Sequence, residues 1–180
     1  YAVIKDPEGN IVSAASADMD LKHSNAEMTD CATFPAERGK GLMRILLVRL
    51  DSLGDVILMT PAFRAIKETQ PGAHLTLLAS PVGAQAAKLD PDLDEVLVYA
   101  TPFTDPWLQE PHTPERELQL VETLRQRRFD GAIIFTSYRQ SPLPAALLCY
   151  LAGIPLRLGA TDEGAGSLLT TRHHWPPGLY

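Results

Sequence analysis

The 180-residue sequence has few cysteines, no surplus of positive charge and no long apolar run. Its two cysteines, Cys31 and Cys149, are too few for a small secreted disulfide scaffold, and we expect free thiols in a reducing cytosol. They show no Cys/His ligand spacing, which argues against a structural zinc site. Sixteen basic against 22 acidic residues give a net charge of −6, so the basic footprint of a nucleic-acid-binding protein is missing.

Membrane spans and leader sequences are also missing from the pattern. The uncharged stretch 141–156 contains three prolines and is shorter than the ~18–20 apolar residues of a spanning helix. The first residues lack the basic and apolar regions of a signal peptide. The sequence begins without Met, and we interpret it as part of a longer protein. Its length suits one domain with an appendage, and 45% apolar residues is an ordinary globular composition.

Residues 1–42 read differently from the rest. Two short apolar runs flank residues 6–10, and this pattern predicts a small hairpin. A polar stretch and a link containing Pro and Gly follow. We interpret residues 1–42 as an N-terminal extension or the tail of an upstream domain, and we assign them no chemistry.

From Met43 onward, apolar runs typical of strands alternate with helical spacing. The pattern predicts strands at 43–49, 74–79, 95–99, 131–136 and 156–159, and helices at 56–69, 82–89, 114–127 and 144–151. This order implies right-handed crossovers and a parallel α/β sheet with helices on both faces. Ligands bind such sheets outside the carboxyl ends of the strands, so the loops there are the places to search.

The loop after the first of these strands, residues 49–55, is the strongest candidate site. It has one glycine where a dinucleotide fingerprint has three, and no Gly-Lys-Ser/Thr follows it, so dehydrogenase and nucleoside-triphosphatase functions are disfavoured. Asp55 could take a proton from an attacking hydroxyl, and free N–H groups at a helix start can meet an anion. An aspartate at a helix start is also a common capping residue, and spacing alone leaves both roles open.

The segment MRILLVRLDSLGDVILMTPAFRAIK resembles the opening of the heptosyltransferase-type glycosyltransferases of family nine. The shared features are an apolar strand, a polar turn, the pair Gly54-Asp55 and the pair Thr60-Pro61. The resemblance continues through PGAHLTLLAS, DPDLDEVLVY and LCYLAGIPLRLGA and covers about residues 43–180. It implies a Rossmann-like, acceptor-side domain, the N-terminal half of a GT-B fold, with the C-terminal donor domain outside this sequence. It also implies that Asp55 is the general base.

The resemblance further implies sugar transfer, heptose being one candidate, from a nucleotide-sugar donor (ADP-linked) to a glycan or lipopolysaccharide-type acceptor. We expect no metal and no cofactor, since the nucleotide sugar is a substrate. The 180-residue chain alone is expected to be inactive. A lipid-linked acceptor would place the protein in the cytoplasm at the inner face of the membrane, with peripheral membrane association.

Six further residues are predicted to bind substrate at these strand ends: Arg49, Ser52, Gly54, Ser137, Arg139 and Gln140. Three of them have a structural alternative. Arg49 either neutralises an acceptor phosphate or pairs with Asp51, and Ser52 either contacts ligand or caps the helix. Arg139 either binds a phosphate or carboxylate bidentately or faces solvent. The segment around Ser137 departs from the Asp-Leu-Gln-Gly pattern of many heptosyltransferases, which leaves the acceptor open.

Weaker signals and rival functions remain. Phe103 and Trp107, in a Pro-rich loop, either stack on a sugar ring or pack over the sheet. Adjacent His173 and His174 do not share one face of a strand or helix, which disfavours a metal site. The rivals to the transferase are a non-catalytic, flavodoxin-like binding or regulatory module and a nucleotide-sugar enzyme of another GT-B family. A second β-α-β domain beyond Tyr180 would favour the transferase.

Overall fold

The computed structural model describes residues 2–5, 11–15, 43–104, 113–137 and 140–174. Within these ranges the chain forms a two-stranded antiparallel hairpin and a six-stranded parallel sheet. The hairpin strands are β1 (Ala2–Lys5) and β2 (Ile11–Ala15). The sheet strands are β3 (Arg44–Arg49), β4 (His74–Ala79), β5 (Glu95–Val98), β6 (Gly131–Ile134), β7 (Leu156–Ala160) and β8 (Thr171–His173).

Four helices connect the sheet strands. They are α1 (Leu53–Thr69), α2 (Gly83–Ala87), α3 (Pro114–Arg127) and α4 (Leu143–Leu151). The strand order is β5-β4-β3-β6-β7-β8. The chain therefore builds outward from β3 in one direction, then returns to the other side of β3 and continues in the opposite direction.

The residues of β3 alternate between two apolar cores, one on each face of the sheet. Ile45 and Leu47 pack under α1 and α2, in a cluster with the fully buried Phe63. Leu46 and Val48 pack under α3 and α4. Because both faces of the sheet are covered, residues 45–48 in the middle of β3 are all apolar rather than alternating with polar residues.

The structure confirms the predicted fold class, a Rossmann-like parallel sheet with helices on both faces. The bounds of β4 agree with the sequence prediction, and α1 begins earlier, at Leu53, because Ser52 caps it. Strand β8 is not predicted by the sequence pattern. It has three residues, lies at the edge of the sheet, and has partly or fully exposed side chains, so it lacks an apolar run.

Within the described ranges, no helix has both the length and the apolar composition that crossing a membrane requires. The hairpin predicted around residues 6–10 is observed as β1 and β2. Trp107 and Arg139 fall outside the described residues.

Candidate functional site

The candidate site lies where the strand order reverses. Strand β3 pairs with β4 on one side and with β6 on the other, so the loops that follow β3 and β6 leave the sheet in different directions. Open parallel sheets bind their ligands in the crevice that such a reversal creates. The loop after β3 carries Asp51 and Ser52, and Asp55 follows in the first turn of α1, while the loop after β6 carries Ser137 and Gln140.

The start of α1 fixes the position of Asp55. Ser52 is the N-cap, and it forms a capping box with Asp55 at the third helical position. The Asp55 backbone N–H donates to Ser52 Oγ at 3.4 Å, while the Ser52 backbone N–H donates to Asp55 Oδ2 at 3.0 Å. Ser52 therefore caps the helix, as one of its two predicted roles requires. A Cβ on Gly54 would approach no nearer than 3.8 Å to its closest neighbour, Ser52 Oγ, so local packing does not demand glycine there.

Both carboxylate oxygens of Asp55 are engaged, yet the side chain stays 27% exposed. Oδ2 accepts a second hydrogen bond, from Ser52 Oγ at 2.7 Å. Oδ1 accepts hydrogen bonds from Arg49 Nη2 at 2.8 Å and from Ser137 Oγ at 3.4 Å. Asp55 thus completes the helix cap, one of the two roles that the sequence left open, and also presents a carboxylate at the crevice. Its role as a proton acceptor stays a prediction.

The charge state of Asp55 follows from these contacts. Partial burial works to raise its pKa, but the hydrogen bond from Ser52 and the positive charge of Arg49 outweigh burial, and the pKa lies below the ordinary value. The carboxylate is therefore ionised at neutral pH and can accept a proton. A low pKa makes it a weak base, so it would take a proton only from a group that is becoming acidic.

Arg49, the last residue of β3, connects the two acidic residues of this loop. Its side chain is 4% exposed, and Nη1 lies 3.2 Å from Asp51 Oδ2 while Nη2 lies 2.8 Å from Asp55 Oδ1. Nη2 also donates to Ser137 Oγ at 2.8 Å. The structure thus shows the ion pair with Asp51 that was one of the two alternatives for Arg49. Its contact with an acceptor phosphate stays a prediction.

Asp51 is the deeper of the two carboxylates, with a side chain 9% exposed. Burial raises its pKa, and neither the charge of Arg49 nor the hydrogen bond from Gln140 fully offsets that effect. Gln140 Nε2 donates to Asp51 Oδ1 at 2.8 Å, and Gln140 Oε1 accepts from the Ser137 backbone N–H at 2.9 Å. The Gln140 amide therefore joins the loops after β3 and β6.

Five of the predicted site residues that are described meet in one network: Arg49, Ser52, Asp55, Ser137 and Gln140. The sequence reasoning did not include Asp51 or Thr136 among the site residues. The signal for Asp51 was available, since a carboxylate directly after a buried strand and four positions before Asp55 must share the same loop. No group of three or more His, Cys, Asp or Glu side chains suited to a metal ion occurs among the described residues.

Comparison with known proteins shows sequence similarity to a glycosyltransferase and to an acetyltransferase. No family model matches the chain. A putative glycosyltransferase of Haemophilus influenzae is 29% identical over 120 residues, which is 67% of this chain and 31% of that protein. A β-lysine N6-acetyltransferase of Methanosarcina mazei is 60% identical over 43 residues, which is 24% of this chain and 16% of that protein. The chain therefore spans at most about a third of these curated relatives.

Solved structures with the same fold are heptosyltransferases and a family 9 enzyme. Escherichia coli ADP-heptose lps heptosyltransferase II matches with a TM-score of 0.57 and 22% identity, over 72% of this chain and 34% of that one. E. coli heptosyltransferase WaaC, solved with ADP-2-deoxy-2-fluoro heptose, matches with a TM-score of 0.56 and 22% identity, over 73% and 42%. A family 9 glycosyltransferase of Veillonella parvula matches with a TM-score of 0.54 and 21% identity, over 72% and 35%.

These similarities confirm the resemblance predicted from the Gly54-Asp55 segment: the chain shares its fold with part of the heptosyltransferase-like glycosyltransferases of family nine.

Proposed function

We propose that residues 43–180 form the acceptor-side, N-terminal half of a glycosyltransferase that moves a sugar from a nucleotide-sugar donor to a glycan or lipopolysaccharide-type acceptor, with Asp55 as general base. The observation that carries this proposal is the ionised, partly exposed Asp55 carboxylate at the strand-order reversal of a fold shared with heptosyltransferases. The neighbouring structures were solved as an ADP-heptose enzyme and with ADP, which supports an ADP-linked heptose as the donor.

The proposed reaction is a direct displacement. The acceptor hydroxyl oxygen forms a bond to the anomeric carbon of the donor, while the bond from that carbon to the diphosphate breaks and its electron pair leaves with the nucleoside diphosphate. The hydroxyl becomes acidic as its oxygen bonds to carbon, and only then does its proton pass to Asp55. This timing suits the low pKa of Asp55, because a weak base transfers efficiently only from an acidified group.

The substrate-binding roles predicted for the residues around Asp55 are part of the same proposal. We propose that Ser137 and Gln140 bind acceptor hydroxyls. Support comes from their contacts with Asp55 and Asp51, which bring both residues to the candidate site. Gly54 would present its backbone N–H group at the start of α1. Ser52, whose own N–H donates to Asp55, would contact substrate through its hydroxyl. Arg139 would bind an anionic group of the acceptor.

The test is a donor screen with the complete enzyme. ADP-, GDP- and UDP-sugars are compared for release of nucleoside diphosphate, with and without candidate acceptors, and the 180-residue chain is assayed in parallel. We expect acceptor-dependent release by the complete enzyme and none by the 180-residue chain. Replacing Asp55→Asn should lower the rate about 10²–10⁴-fold, since that is the range of general-base contributions.

A matched variant separates catalysis from folding. Asp92→Asn removes a carboxylate from the loop between α2 and β5. Its partner, Arg64, is 59% exposed and contacts no residue of the Asp55 network in the described hydrogen bonds, so the variant should leave the rate unchanged. Both variants are checked for unchanged thermal unfolding, because Asp55 also completes a helix cap worth about 1 kcal/mol. Near-normal turnover by a folded Asp55→Asn enzyme would refute the base assignment.

We further propose that the enzyme acts in the cytoplasm at the inner face of the membrane, as a peripheral protein. Support comes from the lipopolysaccharide named for one neighbour and from two exposed apolar side chains, Ile57 and Leu58, on α1 beside the site. Cosedimentation of the complete enzyme with anionic vesicles tests this, and Ile57→Ser with Leu58→Ser should reduce the bound fraction. Equal recovery in the supernatant with and without vesicles would contradict it.

We propose that residues 1–42 are the tail of an upstream domain rather than part of the sugar-binding unit. The 60% identity to an acetyltransferase extends over 43 residues, a length close to that of this segment, and this supports an origin in another protein. If so, a chain that begins at Met43 should unfold at the same temperature as the 180-residue chain. A clear fall in the unfolding temperature would show that the segment stabilises the sheet.

A further inference from the structure

A cavity of about 250 Å³ opens at the carboxyl ends of β3 and β6, beside the Asp55 network. Its apolar walls include Val48, Ile134 and Ala145, which belong to the core under α3 and α4. Arg49 follows Val48 in the same strand, so its side chain leaves the opposite face of the sheet. The cavity therefore shares Asp51 and Gln140 with the Asp55 network and extends from that network toward the core under α3 and α4.

The lining of the cavity is amphipathic. Phe103, 37% exposed, contributes an aromatic side chain. Asp51, Gln140 and Thr136 contribute a carboxylate, an amide and a hydroxyl. Thr136 Oγ1 is buried and, within the described part of the chain, has no hydrogen-bond partner. A buried hydroxyl without a partner is costly, so a ligand group that pairs with it would bind with advantage.

This combination selects the chemical class of the ligand. A purely apolar molecule would leave the Thr136 hydroxyl unpaired. A phosphate or a nucleoside diphosphate would meet the carboxylate of Asp51, with that of Asp55 close behind it. A pyranose ring has an apolar C–H face for an aromatic side chain and hydroxyls for a carboxylate, an amide and another hydroxyl. The volume is below the ~300 Å³ at which pockets for drug-sized ligands begin, which suits a single ring.

We propose that this cavity holds one pyranose ring of the acceptor, with its C–H face against Phe103 and its hydroxyls on Asp51, Thr136 and Gln140. The inference rests on the proposed sugar transfer and specifies where the acceptor lies. Asp51 lines the cavity and shares the guanidinium of Arg49 with Asp55. From a ring bound here, Asp51 and then Arg49 lead to the proposed base, and this proximity lets another hydroxyl of the same acceptor reach Asp55.

Methyl-labelled NMR of the 180-residue chain tests the site directly. The probes are methyl glycosides of a hexose, a 6-deoxyhexose and a heptose, with cyclohexanol as the apolar comparison. We expect at least one pyranoside to shift the methyl signals of Val48, Ile134 and Ala145 with dose, while the buried Leu75 on β4 stays unchanged. No shift with any pyranoside, or equal shifts with cyclohexanol, would overturn the proposal.

Variants assign the contacts. Phe103→Ala and Thr136→Val should each weaken the response about tenfold, the loss expected for one good contact, and Thr136→Ser should retain it because the hydroxyl remains. Leu118→Ala, at a 64% exposed position on α3, is the matched control and should leave it unchanged. If Thr136→Val disturbs the spectrum of the free protein, Phe103→Ala decides, because its side chain is already partly exposed. An unchanged response in Phe103→Ala would overturn the proposal.

The complete enzyme separates this inference from the proposed function. Transfer with an acceptor KM that Phe103→Ala raises about tenfold, at unchanged donor KM, supports both. Transfer with an acceptor KM insensitive to Phe103→Ala refutes the cavity and leaves the function intact. Pyranoside binding by the chain without nucleotide release by the complete enzyme, for any donor, refutes the transferase and leaves a sugar-binding cavity.

Discussion

Replacing Arg49→Met should destabilise the fold strongly, because it removes the positive charge that two neighbouring carboxylates share. The guanidinium lies between two carboxylates, at 3.2 Å from Asp51 and 2.8 Å from Asp55, and is 4% exposed. Removing one partner from a buried ion pair costs about 3–5 kcal/mol. Because Asp55 is 27% exposed and partly solvated, we expect about 2–3 kcal/mol here.

For a chain of this size, that free energy corresponds to a fall of about 5–10 °C in the unfolding temperature. Thermal unfolding followed by circular dichroism, together with urea titration, measures it. Arg64→Met is the matched control, since it removes the same side chain from a pair in which the arginine is 59% exposed. We expect that control to change stability by less than about 0.5 kcal/mol.

The pH dependence gives the sharper result. The pKa of Asp55 is lowered in the folded state, so its contribution to stability is present above the unfolded pKa and is lost as pH falls through the folded pKa. The pKa of Asp51 is raised, so its ionisation costs stability as pH rises through the folded pKa, and Arg49 limits that cost. Loss of Arg49 should therefore cost most at pH 7 and progressively less below about pH 4, where aspartates take up protons.

Two results would refute this reasoning. One is an Arg49→Met variant that loses no more stability than Arg64→Met. The other is a difference from the unmodified protein that stays constant between pH 7 and pH 3, because that would mean that lost side-chain packing, and not the two carboxylates, sets the cost.

Three further predictions concern stability and are measured by urea unfolding. Arg157→Leu should cost about 3 kcal/mol, because the guanidinium of this buried residue donates to the backbone carbonyls of four residues around β7; a cost below 1 kcal/mol would contradict the count of bonds. Gly83→Ala should cost about 1–3 kcal/mol, since its Cβ would lie 2.9 Å from Val56 Cγ2, whereas Gly164→Ala meets no atom within 4 Å and should be neutral; equal effects would contradict the steric argument. Ser52→Ala should cost about 1 kcal/mol and raise the pKa of Asp55, measured by NMR titration, because it removes the N-cap and a hydrogen bond to the carboxylate; an unchanged Asp55 pKa would show that this bond is unimportant.

The fold was predictable because the central strands are buried on both faces. Continuous apolar runs such as residues 44–49 and 74–79 have few alternatives to a buried parallel strand, and the helical spacing between them is regular. Strand β8 was not predictable, because three residues at a sheet edge need no apolar pattern. A strand could be predicted from the sequence where helices cover both of its faces, because burial there requires an apolar run. Local strand propensity mattered less.

Two signals in the sequence predicted the site: the positions of the strand ends and the family resemblance. Both indicated Asp55 and the loop after β6, and the structure places Ser137 beside Arg49 across 88 residues of sequence. The burial of Asp51 and the unpartnered hydroxyl of Thr136 depend on packing between two loops, which no spacing reveals. The structural and functional roles offered for Ser52 and Asp55 also proved compatible, since one carboxylate can hold a cap and face a crevice.

The capping box has a mechanical consequence for any enzyme built on this domain. Asp55 forms hydrogen bonds with both the backbone and the side chain of Ser52. The carboxylate and the first turn of α1 therefore move together. Any sliding of that helix against the sheet would carry the Asp55 carboxylate with it, and so would change the reach of the general base that we propose. The orientation of the seventeen-residue helix α1 thus determines the direction in which the Asp55 carboxylate points.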